Sequence, residues 1–350
     1  MRITRIEHIV VCVPFRPGIL PPPEQDVFSP AYPAPLGERR QDVLRLYTDA
    51  GLVGTGMSGP YFGDRDSDPP DLVGKDVRSL EPRALGGGGY SIALLDLIAQ
   101  EAGWPLCRLF GGRLQERVLI DYWISRLEVG PSVAAARRAA ELGFHGIKIK
   151  CRWEDGNVVE RVQAMHEAAP ELRIVVDPNE RFHTLQNALQ VARRLEGLDV
   201  LFEDPFPKGE LTEYARFRQE TSVPVAPHLQ QPRQVVTAVE LRAADAVNIG
   251  PSDWGFLDMA RIAASEGLPV WQASNVDLGV FDLFRLHASA AAPNCTLGSD
   301  LCGNFVHEHS LLAAPLVTGG YAQVPGRPGL GVDLDEEAVA RYALRRQTWP

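Results

Sequence analysis

Gly146-Ile147-Lys148-Ile149-Lys150 decides how this chain is read, together with the two acidic run ends that follow it, Val175-Val176-Asp177 and Leu201-Phe202-Glu203. On a β-strand, residues i and i+2 project to the same face. A strand over 144–150 therefore sets Lys148 and Lys150 side by side at its C-terminal end. Two adjacent ammonium groups on an apolar strand need a nearby anion, or a use for a depressed lysine pKa. The carboxylates of Asp177 and Glu203 close the next two apolar runs. One site can thus hold lysines, carboxylates and a cation.

Outward from this stretch the chain is regular. From about residue 118, short apolar runs (118–122, 144–150, 173–177, 199–203, 223–226, 246–249, 269–272 and 295–297) alternate with amphipathic stretches (132–142, 158–168, 185–195, 232–243, 256–265 and 279–292). The runs recur about every 25 residues, the length of one βα unit. An α/β fold follows, with eight runs pointing to a parallel (β/α) barrel and a doubly wound open sheet as the alternative. The charged residues close their runs at the C-terminal end, where a barrel keeps its chemistry. Residues 1–57 read as alternating strands, interrupted by the Pro-rich, aperiodic segment 17–38. A loop of that length inside a domain is usually functional or mobile. Gly86 to Gly89 precede a helical pattern over 90–102, but no Lys-Ser/Thr follows, so an entry turn outweighs a phosphate cradle. Gly54-Thr55-Gly56 is an equally weak nucleotide signal. In the tail, 326–332 and 334–345 read as a turn, a short strand and a final helix that packs back on the N-terminal region.

Composition narrows the function. The 350 residues carry a net charge of −10, which argues against nucleic acid or an anionic membrane surface as main partner. No apolar run reaches the ~20 residues of a membrane helix. The N-terminus lacks the apolar core of a signal peptide. Five scattered cysteines with no Cys-x-x-Cys suggest neither a disulfide framework nor a zinc knuckle, and a reducing cytoplasm is expected.

In order and spacing, several motifs resemble those of the enolase superfamily, mandelate racemase/muconate lactonizing enzyme subgroup. They are Ala93-Leu94-Leu95-Asp96, Gly103-Trp104-Pro105, Leu109-Phe110-Gly111-Gly112, the Lys148/Lys150 strand, Val176-Asp177-Pro178-Asn179, Phe202-Glu203-Asp204-Pro205 and Pro328-Gly329-Leu330-Gly331. The resemblance spans nearly the whole chain. It implies an α+β capping domain (1–115), a modified (β/α)7β TIM-like barrel (116–322) and a C-terminal segment (323–350) packing back on the cap. It also implies Mg²⁺ at the strand ends, abstraction of the proton α to a substrate carboxylate, and self-association into a homo-oligomer. Segment 17–38 falls where the family keeps a loop that closes over substrate. Phe28, Tyr32, Tyr61 and Arg16, in or near the capping loops 17–38 and 54–62, could touch a ligand, although loop packing explains each.

The chemistry fits the residues. Removing a proton α to a carboxylate yields a dianionic enediolate, which a divalent cation stabilises. Mg²⁺ prefers hard oxygen ligands, so Asp177 and Glu203 fit as metal ligands. Asn179 matches a family asparagine beside the metal. Lys150 is the expected general base, with Lys148 lowering its pKa and polarising the substrate. Asp204 reads as an outer-shell acid or a helix cap. The chain departs from the family twice. Val225-Ala226-Pro227-His228 has no third carboxylate ligand; His228 could ligate, which would favour Mn²⁺ or another divalent cation, or could assist a leaving hydroxyl. Gly250 stands where a second base is usual, leaving Asp277 and Asp253 as weak substitutes, with Asn275 and Asp277 as substrate or outer-shell candidates. One-base chemistry on a small carboxylate follows, dehydration of a hydroxy or sugar acid before racemisation or cycloisomerisation. A non-catalytic carboxylate- or metal-binding barrel is the alternative class. His307-Glu308-His309 reads as a solvated turn.

Overall fold

The computed structural model describes residues 1–19, 39–61, 69–86, 88–209 and 211–350. The expected contacts of Phe28, Tyr32 and most of segment 17–38 lie outside those residues. The N-terminal region forms an antiparallel sheet from β1 (Ile3–Val11), β2 (Gln41–Thr48) and β3 (Val53–Met57), covered by helix α1 (Gly89–Glu101). Gly54 and Gly56 make that cover possible. A Cβ at Gly56 would stand 1.8 Å from the Gly89 carbonyl oxygen, and one at Gly54 2.2 Å from that of Ala93. The two glycines are packing residues. A Gly56→Ala variant is expected to lose about 1–3 kcal/mol through overpacking, read by urea denaturation.

Parallel strands alternate with helices after residue 116. They are β4 (Arg117–Leu119), β5 (Tyr122–Ile124), α2 (Val129–Glu141), β6 (Gly146–Lys150), α3 (Val158–Ala168), β7 (Arg173–Asp177), α4 (Leu185–Arg193), β8 (Val200–Glu203), α5 (Thr212–Glu220), β9 (Val225–Ala226), β10 (His228–Leu229), α6 (Pro232–Glu240), β11 (Val247–Ile249), α7 (Trp254–Ser265), β12 (Val270–Gln272), α8 (Gly279–Ala290) and the short α9 (Gly303–Val306). The exception is β4, which pairs antiparallel with β14 (Tyr321–Gln323), itself paired with β13 (Val317–Thr318). Hydrogen bonding gathers the others into two parallel arcs, β5-β6-β7-β8-β9 and β10-β11-β12, with Pro227 separating β9 from β10. The run 295–297, expected as an eighth strand, makes one isolated parallel bridge, Cys295 to Val270, and just beyond it Ser299 makes another, to Ile120. Val175, Leu201, Ala226, Ala246 and Trp271 pack together with Leu297 as one interior cluster.

The tail differs from its reading. Its helix α10 stops at Tyr342 (Glu336–Tyr342), and the chain continues as β15 (Ala343–Trp349), antiparallel to β1 at the edge of the N-terminal sheet. The consecutive polar residues Arg345-Arg346-Gln347 carry no apolar period that would choose between the two elements. Pairing with β1, unreadable locally, decides it. Among the described residues no helix is long and apolar enough to cross a membrane.

Candidate functional site

The C-terminal ends of the parallel strands surround a cavity of about 460 Å³. Its wall includes Lys148, Lys150, Asn179, Glu203, Asp204, His228, Asn248, Asn275 and Asp300. The period-2 geometry of β6 brings both lysines to one face, and the parallel register places Lys150 beside Asp177.

Lys148 is the hub. Its Nζ lies 2.7 Å from Glu203 Oε2, 2.8 Å from Asp300 Oδ2 and 3.1 Å from Asp177 Oδ2, and it donates to Glu203 Oε1 at 2.9 Å. Burial opposes its charge, but Asp300, Glu203 and Asp177 outweigh burial and hold its pKa well above the ordinary lysine value. Lys150 donates to Asp177 and, at 2.9 Å, to Asn179 Oδ1. Lys148 thus sits among three carboxylates, and Lys150 shares Asp177 with it. Burial acts against the Asp177 carboxylate too, yet Lys150 and Lys148 keep its pKa below the usual range. Burial, then the Asp177 charge, pushes Glu203 well above its ordinary value despite Lys148. Asn248 Nδ2 adds a 2.6 Å hydrogen bond to Glu203 Oε1.

Three carboxylates thus face two ammonium groups, and burial together with the Asp177 charge disfavours the ionised form of Glu203. Glu203 Oε2 is buried and, although close to Lys148, makes no hydrogen bond. This excess acid and its unused oxygen fit a divalent cation, since Mg²⁺ is commonly held by one or two carboxylates and keeps several waters. No group of three His, Cys, Asp or Glu side chains is arranged to hold a metal among the described residues.

The opposite wall is different. His228 Nε2 faces Gln230 Nε2 at 2.9 Å, and its backbone N–H donates to Asp204 Oδ1 at 2.7 Å. Burial, then Lys148 and Lys208, presses the His228 pKa down to about 3, so its imidazole is neutral at physiological pH. Asp204 also accepts from Lys208 at 2.6 Å, and burial raises its pKa to about 6. It caps no helix. Gly250 is covered by the Gln230 amide, whose atoms would stand 2.2–2.4 Å from a Cβ at that position. Asn275 lines the cavity. Asp277 does not: it is fully buried, bound by Arg285 and by the Asn275 backbone N–H at 3.0 Å. Asp253 caps α7 by accepting from Gly255 N at 2.9 Å. Tyr61 is buried with its hydroxyl on Asp42 at 2.6 Å.

Two features escaped the sequence reading. Asp300 follows a run that forms no strand, so the strand-end rule did not reach it. Gln230 carries no charge to mark it. The reading of His307 as solvated is also corrected. Its ring is buried, stacked on Phe15 at 4.4 Å, between the carbonyls of Val13 (2.9 Å) and Val276 (3.1 Å). Asn179, Glu180, His183, Asp204 and Val276, all on the cavity wall, have φ of 47°, 67°, 62°, 41° and 58°. Positive φ in a β-branched residue such as Val276 is costly and clusters at functional sites.

Such a wall of lysines and carboxylates at parallel strand ends belongs to a recognisable class. Residues 132–338, more than half of the chain, match the enolase C-terminal domain-like family, and the chain belongs to that family. Its relatives place it with the mandelate racemase/muconate lactonizing type. An N-succinylamino acid racemase from Thermus thermophilus is 27% identical over 88% of this chain and 86% of that protein. An arabinonate dehydratase from Saccharolobus solfataricus is 25% identical over 74% and 72%. In structure, an N-succinyl Arg/Lys racemase from Bacillus cereus superposes with a TM-score of 0.83 at 19% identity, covering 100% of both chains. That similarity shows the fold. Members of the superfamily generally bind a divalent metal, typically Mg²⁺.

Proposed function

We propose that this protein is a divalent-metal-dependent enzyme that removes the proton α to a carboxylate with Lys150 as its single base, and that it dehydrates a small hydroxy acid or sugar acid. We further infer that the two parallel arcs and segment 295–299 close as a (β/α)7β barrel, which the shared interior cluster around Trp271 supports. The observation that carries the functional reading is the asymmetry of the cavity. Ammonium groups and acids stand on β6, β7, β8 and at Asp300; the facing strands offer a neutral His228, Asn248 and a Gly250 covered by Gln230.

Asp177 and Glu203 would hold the metal, Mg²⁺ in the first instance, which supplies Lewis-acid stabilisation of the enediolate. Lys148, fixed among three acids, stays charged and holds the substrate carboxylate. Lys150, oriented by Asn179 and acting as its neutral amine, would take the α-proton from one face and become the ammonium. His228 stands on the other wall, where its imidazole can hydrogen-bond a substrate hydroxyl. Arg39 and Arg181 also line the cavity and favour a substrate with a further polar or anionic group. A cycloisomerase would use the same single base; chloromuconate cycloisomerase CbnB of Cupriavidus necator is 25% identical over 98% of this chain, which favours it as the second reading.

Product mass separates the two, since dehydration removes one water and cycloisomerisation does not. A panel of hydroxy acids, sugar acids and muconates incubated with Mg²⁺ tests both. Products 18 mass units lighter from hydroxy acids support the first reading, new products of unchanged mass from muconates support the second, and no product of either kind from any substrate would sink both. The metal ligands are tested by calorimetric titration. The parent is expected to bind about one Mg²⁺ per chain, and Asp177→Asn to weaken binding by at least about tenfold through loss of a charged ligand. Equal affinity would remove Asp177 from the metal site.

A further inference from the structure

A second cavity, of about 180 Å³, opens at the opposite, N-terminal end of the parallel strands. Its walls are Leu119, Val175, Leu201, Trp271, Leu297 and Gly298, with His145, Arg173 and Asp199 completing it. Arg173 is tied to Asp199 at 2.9 Å. Asp121, between β4 and β5, also lines it, only 6% exposed. Among the described residues its side chain has no hydrogen bond and no ion pair, in contrast to Asp177, Glu203, Asp204 and Asp300, each of which accepts from a donor. Space is made for it on both sides by glycine. A Cβ at Gly298 would stand 1.9 Å from Asp121 Oδ1, and one at Gly146 2.3 Å from the same atom.

An unpartnered carboxylate among apolar walls must either hold a proton or find a cation. We propose that Asp121 is a second ionisable site of the protein, entered from the face opposite the catalytic mouth, which exchanges its proton with water through this cavity and so sets the charge beneath Asp300 and Lys148. Releasing that proton to a water molecule leaves one additional negative charge inside the ring of strands. The groups that face Asp121 are Asp300, Lys148 on β6, Arg173 on β7 and Asp199 before β8, with His145 on the cavity wall. Burial, then Asp300, raises the carboxyl pKa to about 7, against the smaller opposing effects of Lys148 and Arg173. The titration therefore falls in the physiological range, and the added charge acts on the pair that holds the substrate carboxylate. Asp121 is thus a positioning residue acting through Lys148 and Asp300.

The sign is fixed by linkage. A carboxyl whose folded pKa exceeds its unfolded value, about 3.9, contributes stability that is complete below the unfolded pKa and is lost as pH rises through the folded one. The test compares the full-length parent with Asp121→Asn from pH 4.5 to 8.5, without added metal, with choline, Na⁺ or K⁺ as the only cation. The folding equilibrium constant of the parent is expected to fall relative to the variant by about tenfold per pH unit up to about pH 7, then to run parallel. The curve should be the same in all three salts. Parallel curves throughout would overturn the proposal, and so would a break that moves with K⁺ or Na⁺, because a cation would then occupy the cavity. Should Asp121→Asn fail to fold, Asp121→Ser serves for the same comparison. A second readout rests on the proposed metal site: between pH 6 and 8 the Mg²⁺ affinity of the parent should rise more steeply than that of the variant, and equal slopes would overturn the coupling. Absence of Mg²⁺ binding in both proteins would instead refute the proposed function and leave the stability comparison to decide on Asp121.

Discussion

Replacing Lys150 by alanine lowers kcat by about 10²–10⁴-fold, the usual contribution of a positioned general base, and leaves KM within a few-fold of the parent. The split is expected because Lys148, rather than Lys150, is placed to hold the substrate carboxylate. The fold should survive. Asp177 keeps a second ammonium partner in Lys148 at 3.1 Å, so losing Lys150 does not leave it a bare buried charge. Circular dichroism and a retained Mg²⁺ affinity would verify that the chemical step alone is lost. A variant turning over at the parental rate would place the base elsewhere.

Lys148→Met has the opposite profile and damages the fold itself. The side chain of Lys148 is 4% exposed and touches three carboxylates. Removing one partner from a buried charge network costs about 3–5 kcal/mol, and here the acids left behind have only Lys150. Urea denaturation should show that loss at neutral pH. The loss should shrink as pH falls, because protonation of the carboxylates still ionised around the vacated position, Asp177 among them, removes their repulsion. A deficit independent of pH would mean that packing, and not charge, is what Lys148 supplies. Divalent cation should restore part of the stability, since it replaces the missing positive charge.

These two effects come from a site whose main parts were legible in the sequence. Strand periodicity gave the side-by-side lysines, and the ends of the next two runs gave Asp177 and Glu203. What stayed hidden depends on contacts that a linear pattern does not carry. Asp300 joins Lys148 from a segment held only by isolated bridges, with no run of alternating residues to mark its end. Gln230 shapes the facing wall by filling the space over Gly250, which only three-dimensional proximity reveals. Asp277 looked available because its partner Arg285 lies eight residues on, inside a helix that the sequence showed only as amphipathic. His307 was misread for a related reason. Its two neighbouring charged or polar residues suggested solvent, whereas Phe15 and the carbonyls of Val13 and Val276 enclose it from distant parts of the chain. The fold followed the same division. Local periodicity located β6, β7 and β8 to within about two residues, while β15 exists because β1 offers it an edge.

The central claim is that protons leave and return on one face only. Its most direct test is to incubate the protein with Mg²⁺ and single enantiomers of α-hydroxy acids in D₂O, and to determine both deuterium content and configuration at the α-carbon of recovered substrate. The account predicts deuterium only in molecules that keep their original configuration, and none with Lys150→Ala. Deuterium appearing in the opposite enantiomer at a comparable rate would reveal a second base on the His228 wall and contradict it.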